Sequence, residues 1–307
     1  MTTLKLPQTL PPPTEDAERL KQAFDGLGTD EKAIIWILGH RNASQRRKIR
    51  DTYKQLYNES LVDHLYSELS GDFRHAVILW MTDPPERDAK LENDALKLNK
   101  KGVQHLKVIV EIACTTSPHH LMAVRQACCS LFACSFEEDI ASNIPQPLRK
   151  LLVGLVSSYR YDKEVVDKVL AESEASQLHE AFKTKQLDHG NHRIETFGSY
   201  KLKYGNHINL DIKSSGNDDL GSLLQLVIRC LESPEAHFAE VVRESIVGLR
   251  TDEESLTRVI VSQAEIDLMI VIYQYQLLYK SSLDDAVIDD TSGDYKDFMM
   301  TLLGARV

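Results

Sequence analysis

Two short loops carry the residue types that bind a hard cation. Gly26-Leu27-Gly28-Thr29-Asp30-Glu31 and Gly248-Leu249-Arg250-Thr251-Asp252-Glu253 stand 222 residues apart. Glycines flanking one residue just before a helix allow the φ > 0 conformations that turn successive carbonyls toward one point. Calcium takes about six to eight oxygens at roughly 2.3–2.6 Å, carbonyl and carboxylate alike. Carbonyls bring no net charge, so a carboxylate must arrive from elsewhere. Glu68 lies 42 residues beyond Gly26, and Asp290 has the same relation to Gly248. Taken alone, the first loop reads as a helix stop, a tight turn and a new N-cap at Thr29, with Asp30 and Glu31 favouring the helix dipole. The distant acid recurring in phase favours a metal.

The loops belong to larger copies. Ser67-Glu68-Leu69-Ser70-Gly71-Asp72-Phe73 matches Asp289-Asp290-Thr291-Ser292-Gly293-Asp294-Tyr295 at the same offset, so the first and last repeats differ by no net insertion. A second copy lies 75 residues after the first: Arg50 pairs with Arg125, Leu56 with Leu131, Tyr57 with Phe132 and Arg74 with Arg149. The third is irregular. Leu20, Ala23, Phe24 and Asp30 match Leu178, Ala181, Phe182 and Asp188, but Tyr53, Lys54 and Tyr57 match Tyr200, Lys201 and Tyr204 at an offset 11 residues shorter. The loss predicts one fewer complete helix than in the first repeat, where Ala33–Leu38 occupies that stretch. Self-similarity on this scale marks repeat architectures. Segments such as 44–57 put Ile49, Tyr53, Leu56 and Tyr57 on one helical face, with Ser44 as the expected N-cap; Ser60 and Asp63 resemble a capping box. Alternating strand patterns are scarce. The reading is all-α, with four or five short helices per repeat.

Composition narrows the function. The 307 residues carry 46 acids against 36 bases, a net charge of −10, and 42% hydrophobic residues. This argues against the clustered basic surface that nucleic acid requires, and against direct attraction to anionic lipid as well. A cation would have to mediate any membrane contact. No apolar run reaches the roughly 18–20 residues of a bilayer span. The start, MTTLKLPQTLPPPTEDAE, lacks the pattern of a signal peptide, and five scattered cysteines do not form a disulfide framework. A cytoplasmic protein is expected.

With GLGTDE in the first repeat, its paired acid, and DTSGDY in the fourth, the chain resembles the annexin family from about residue 15 onward. GHRNASQRRKIRDTY, LYSELSGDF and LVSSYRYD are most similar to plant annexins. The resemblance implies an all-helical curved disc of four repeats that binds anionic phospholipid through calcium on its convex face. It implies a tail at 1–14 and repeats at 15–83, 84–160, 161–232 (degenerate and shortened) and 233–307. It implies two calcium sites: carbonyls of Phe24, Gly26 and Gly28 with the Glu68 carboxylate, and carbonyls of Ile246, Gly248 and Arg250 with Asp290. Leu27 and Leu249, at the loop tips, would enter the lipid interface. Arg250 departs from the pattern by replacing a glycine, and backbone strain is expected there. In the second repeat the loop reads Lys101-Gly102-Val103-Gln104-His105 and the acid position is Asn143; in the third, Lys183-Thr184-Lys185-Gln186-Leu187 and Ser215. Both are expected to hold no metal of this kind.

Other signals point to different functions. The resemblance implies haem-peroxidase chemistry at His40 and a redox pair at Cys114 and Cys230; a calcium-independent helical scaffold is the third reading. A lone histidine after a helix is ordinarily a capping residue, and free cysteines ordinarily pack as small hydrophobes. Cys128, Cys129 and Cys134 read as core residues. An EF-hand spacing and a phosphate loop are absent, so no dedicated enzyme is expected. Ile270-Val271-Ile272 lacks the central base of the segment linked to actin in relatives, which argues against actin. Self-association on membranes is an open partner reading.

Overall fold

The computed structural model describes residues 1–26, 28–98, 103–157, 169, 172–177, 194–205, 208, 210, 212, 219–248 and 250–305. These residues are helical with no strand among them. Two compact units emerge, one joining Met1–Pro84 to Glu235–Val307, the other spanning Pro85–Pro234.

In the first unit the order is α1 (Pro13–Phe24), α2 (Glu31–Gly39), α3 (Ala43–Tyr57), α4 (Leu61–Glu68) and α5 (Gly71–Met81), followed after the gap in sequence by α13 (Pro234–Ile246), α14 (Glu253–Gln263), α15 (Leu268–Tyr279), α16 (Leu283–Asp290) and α17 (Gly293–Leu303). The second set repeats the first in order, and its last two helices match α4 and α5 in length, at 8 and 11 residues. Helices α2 and α5 pack against α17, and α5 also packs against α14. One continuous core results, with Trp80, Tyr53, Tyr275 and Phe298 fully buried. The second unit holds α6 (Pro84–Lys97), α7 (Lys107–Thr115), α8 (Pro118–Phe132), α9 (Phe136–Asn143), α10 (Leu148–Ser157), α11 (Ile194–Tyr204) and α12 (Asp219–Glu232). Its main core gathers around α7, α12, α9 and α10. The helix expected to be missing from the third repeat falls at 178–193, outside the described residues.

Local capping refines the sequence reading. Asn42, not Ser44, caps α3: its side chain accepts from Gln45 N while Gln45 returns a bond to Asn42 N. The reciprocal amide pair satisfies two orphan donors, which Ser44 alone could not. Ser60 does cap α4, accepting from Asp63 N, but without a reciprocal bond from Asp63. Cys128 is buried, whereas Cys129 is exposed and Cys134 half-exposed. Consecutive helical residues point about 100° apart, so Cys128 and Cys129 cannot both face the core.

Arg46 ties the halves of the first unit together. Its guanidinium lies 3.5 Å from the centre of the buried Trp80 ring. It donates to Arg41 O at 2.6 Å and to Glu265 Oε2 at 2.8 Å. Glu265 Oε1 in turn accepts from Ala43 N at 2.7 Å, so one carboxylate from the fourth repeat holds the start of α3. Nearby, Arg41 makes two bonds to Asp16, at 2.7 and 2.8 Å, with both side chains buried. Removing one member of a buried pair strands the other's charge, at about 3–5 kcal/mol. Arg46→Met should therefore lower stability by about 3 kcal/mol in urea denaturation. A double-mutant cycle with Glu265→Gln should show coupling above about 1 kcal/mol; additive losses would mean that the bridge is no tie.

The second unit contains a buried acid. Glu92 is fully buried; Cys128 Sγ donates weakly to its Oε2 at 3.6 Å, and Oε1 has no hydrogen-bond partner among the described residues. Burial and the nearby Asp139 push its carboxyl from 4.5 up to about 8. Between those values the folded chain holds a proton that the unfolded chain releases, so stability falls with rising pH, by up to about 1.4 kcal/mol per unit. Thermal melts from pH 5 to 8 should show that decline in the native chain and a flatter profile in Glu92→Gln, with the variant the more stable at pH 8. Parallel profiles would contradict it.

Candidate metal centre

The two glycine loops close by the same hydrogen bonds. Asp25 N donates to Lys21 O at 3.1 Å and Val247 N to Arg243 O at 3.0 Å, ending α1 and α13. Asp30 N then reaches back to Ala23 O at 2.9 Å, and Asp252 N to Ser245 O at 2.8 Å. Each loop is thereby pinned at its neck. Phe24 and Ile246 are the last residues of their helices, where the backbone leaves carbonyls without intrahelical partners.

Gly26 and Gly248 take φ of 152° and 158°, and Gly28 takes 103°. Side chains rarely adopt such values. The conformation also brings the third loop residue back over the first: a Cβ on Gly26 would lie 4.0 Å from Gly28 O, and one on Gly248 would lie 3.7 Å from Arg250 O. The strain expected at Arg250 is not found. Among the described residues, the non-glycines at positive φ are Asn58, Ala133 and Lys280. The fourth loop therefore brings its carbonyl to the same place without a left-handed backbone, and Arg250 is exposed beside it.

Both acids arrive where the sequence spacing puts them. Glu68 ends α4, and its Oε2 accepts from Thr29 Oγ1 at 2.9 Å. Asp290 ends α16, and its Oδ2 accepts from Thr251 Oγ1 at 2.6 Å. The threonine that the sequence offered as an N-cap instead holds the distant carboxylate. Capping falls to its neighbour: Asp30 Oδ1 accepts from Ala33 N at 3.0 Å and Asp252 Oδ1 from Ser255 N at 3.1 Å. An aspartate at N-cap also faces the positive end of the helix dipole.

The two acids share one cleft of about 320 Å³, which Glu31, Asp72, Glu253 and Asp294 also line. Sequence reasoning assigned none of these four to a metal site, although each pair repeats at the 222-residue offset. Their recurrence beside Glu68 and Asp290 was the available signal. Six carboxylates facing one cleft favour cations over anions. Among the described residues, no three His, Cys, Asp or Glu side chains gather closely enough to hold a metal by themselves. A site here must draw on carbonyls.

The remaining candidates fall elsewhere. Leu27, Leu249, Lys101, Gly102, 183–187 and Ser215 lie outside the described residues. Val103 leads into a 3₁₀ turn at Gln104–Leu106 that runs straight into α7. Asn143 turns its amide onto its own helix, donating to Asp139 O at 2.9 Å and Asp139 Oδ1 at 2.8 Å. His40 is the C-cap residue of α2; its Nδ1 donates to Trp36 O at 2.8 Å and its ring packs 4.3 Å from the Trp36 ring. Partial burial, then the nearby Arg41 and Lys5 cations, lower its pKa against the opposing Trp36 bond. Cys114 and Cys230 are buried in one core, on the packed helices α7 and α12. No helix among the described residues is long and apolar enough to cross a membrane.

Comparison with known proteins agrees with this architecture. The annexin family model matches residues 15–80 and 237–302, the two stretches that carry the glycine loops and their acids. Annexin D3 of Arabidopsis thaliana is 53% identical over all of both chains, and annexin Gh1 of Gossypium hirsutum is 42% identical over 98% of each. Among solved structures, annexin III superposes with a TM-score of 0.90 at 29% identity, covering 99% of this chain and 97% of that one. Calcium-bound annexin (Sm)1 superposes with a TM-score of 0.85 at 30% identity, covering 99% and 93%. Repeated loops, paired acids, helical order and whole-length similarity agree: this chain belongs to the annexin family.

Proposed function

We propose that the chain binds anionic phospholipid membranes reversibly through calcium held in the loops of its first and fourth repeats. The annexin family and fold support calcium-dependent phospholipid binding in general. The assignment to these two loops rests on one observation above all: in both, a threonine of the loop holds a carboxylate delivered from a distant helix end. The donor set suits a hard cation. The carbonyls of Phe24, Gly26 and Gly28 with Glu68 would hold one ion, and those of Ile246, Gly248 and Arg250 with Asp290 the other. Bound calcium supplies a positive charge to which lipid phosphate oxygens complete the shell. The acidic chain cannot attract such a surface unaided.

Both acids line a single cleft, so two ions would present to one surface, where the second attachment gains from effective concentration. Leu27 and Leu249 at the loop tips would add up to about 1.5–3 kcal/mol each if fully buried in the interface. The rival redox reading has less to draw on. The His40 ring is occupied with Trp36, and Cys114 and Cys230 sit among hydrophobic side chains.

The two sites should differ. Arg250 places an exposed cation beside the fourth loop, opposing calcium in solution but able to grip lipid phosphate in a charge-assisted contact. Glu68→Gln should remove most calcium binding in solution, whereas Asp290→Asn should mainly weaken binding to vesicles. Calorimetric titration of both variants, with and without phosphatidylserine vesicles, tests this. Equal losses in solution would refute the asymmetry, and no loss from either would refute the sites.

A further inference from the structure

Asp25-Gly26, in the first loop, is the only Asp-Gly or Asn-Gly pair in the chain. Such a pair carries a reaction of its own. The backbone nitrogen of the second residue can attack the carboxyl carbon of the first, and glycine leaves that nitrogen unshielded because it has no side chain. Every other aspartate is followed by a residue with a side chain. The structure leaves both reacting groups open. The Asp25 side chain is 62% exposed, and Lys21 Nζ, 3.6 Å away, holds it only through a surface ion pair, which restrains little. Gly26 is exposed as well, and its N–H donates to none of the described residues. The fourth loop has Val247 at the matching position, so it offers no carboxyl to react.

We infer that Asp25-Gly26 is a site of spontaneous backbone isomerisation, and that calcium in the first loop protects it. Gly26 N attacks Asp25 Cγ. The new N–C bond forms as the hydroxyl of the carboxylic acid and the amide proton leave together as water, closing a five-membered succinimide. Water then adds back at either ring carbonyl. Cleavage of the new Cγ–N bond restores aspartate, whereas cleavage of the original C–N bond leaves isoaspartate, in which the main chain runs through Cβ. One water leaves and one returns, so the product is an isomer and no oxidant or reductant takes part.

Isoaspartate keeps the carboxylate's charge but lengthens the main chain by one methylene. The added length falls between the two neck bonds, Asp25 N to Lys21 O at 3.1 Å and Asp30 N to Ala23 O at 2.9 Å. With both ends pinned, the loop itself must absorb it, at the link between the Phe24 and Gly26 carbonyls. Those are two of the three carbonyls proposed to hold the first ion, so isomerisation removes that site through geometry alone. Protection follows from the same link. Asp25 has a ψ of 109°, whereas ring closure needs a negative ψ, so the link must swing round before Gly26 N reaches Cγ. An ion held by the carbonyls on either side opposes that swing. The isomerisation stands on the loop's own chemistry; its suppression by calcium rests on the reading above.

The test keeps the protein for several weeks in warm neutral buffer, with chelator or with calcium, and then digests it with trypsin. Cleavage after Lys21 and Lys32 releases peptide 22–32, which holds the pair; its isoaspartyl form elutes separately at unchanged mass. In chelator that form should accumulate. Ring closure draws on the metal-free loop, so calcium at about ten times its dissociation constant should slow it about tenfold. Calorimetry should show first-loop calcium binding lost in proportion to the isoaspartate formed. Asp25→Glu, whose longer side chain closes no five-membered ring, should bind calcium after ageing as it does when fresh. No isoaspartate at position 25 in chelator would overturn the proposal. So would equal rates with and without calcium in a chain shown to bind it at the first loop, or an equal loss of binding on ageing in Asp25→Glu. Isoaspartate forming in a chain that binds no calcium even when fresh would refute the calcium reading and leave the isomerisation standing.

Discussion

A loop built of carbonyls can shape a cation site but cannot charge it, and the proposed sites of the first unit must meet that deficit from elsewhere in the fold. In the proposed sites the missing charge would come from Glu68 and Asp290, each the last residue of a short helix. The Thr29–Glu68 and Thr251–Asp290 hydrogen bonds fasten acid to loop at 2.9 and 2.6 Å. The neck bonds at Asp30 and Asp252 set the loop, and the lengths of α4 and α16 set the acid. Without the delivered acid, each loop would be an ordinary glycine turn.

To hold the two proposed sites on one cleft, the first and last repeats must behave as one body. The shared core does this through α2, α5, α14 and α17, and the Arg46–Glu265 bridge does it with direction. A guanidinium stacked on Trp80 and bonded to a carboxylate from the other repeat cannot shift without exposing a ring, a charge and the start of α3. The association energy of a two-ion surface depends on this rigidity, because a second contact gains only if its geometry is already set.

Much of this was legible in the sequence because repetition converts weak local signals into a phase relation. A glycine turn before a helix is ordinary; the same turn with an acid 42 residues on, twice, is not. Helical class and repeat order followed from the same comparison. Other features depended on competition between neighbours. Asn42 outdoes Ser44 because it has Gln45 as a reciprocal partner, and Asp30 takes the cap that Thr29 surrenders to Glu68. Arg250 was expected to copy glycine's backbone, but it brings its carbonyl over Gly248 by another route. The Arg46–Glu265 contact, across 219 residues, leaves no local trace. The apolar run of α15 leaves no trace of which residues stay uncovered, and Met269, Tyr273 and Leu277 show their exposure only in three dimensions.

The account's central claim is that two calcium ions sit where loop carbonyls meet Glu68 and Asp290. A crystal structure of the calcium-soaked protein tests it most directly. Two ions should appear within about 2.3–2.6 Å of these carboxylates and of the Phe24, Gly26, Gly28, Ile246, Gly248 and Arg250 carbonyls. Ions bound instead by Glu31, Asp72, Glu253 and Asp294 in the middle of the cleft, with both loops empty, would contradict it.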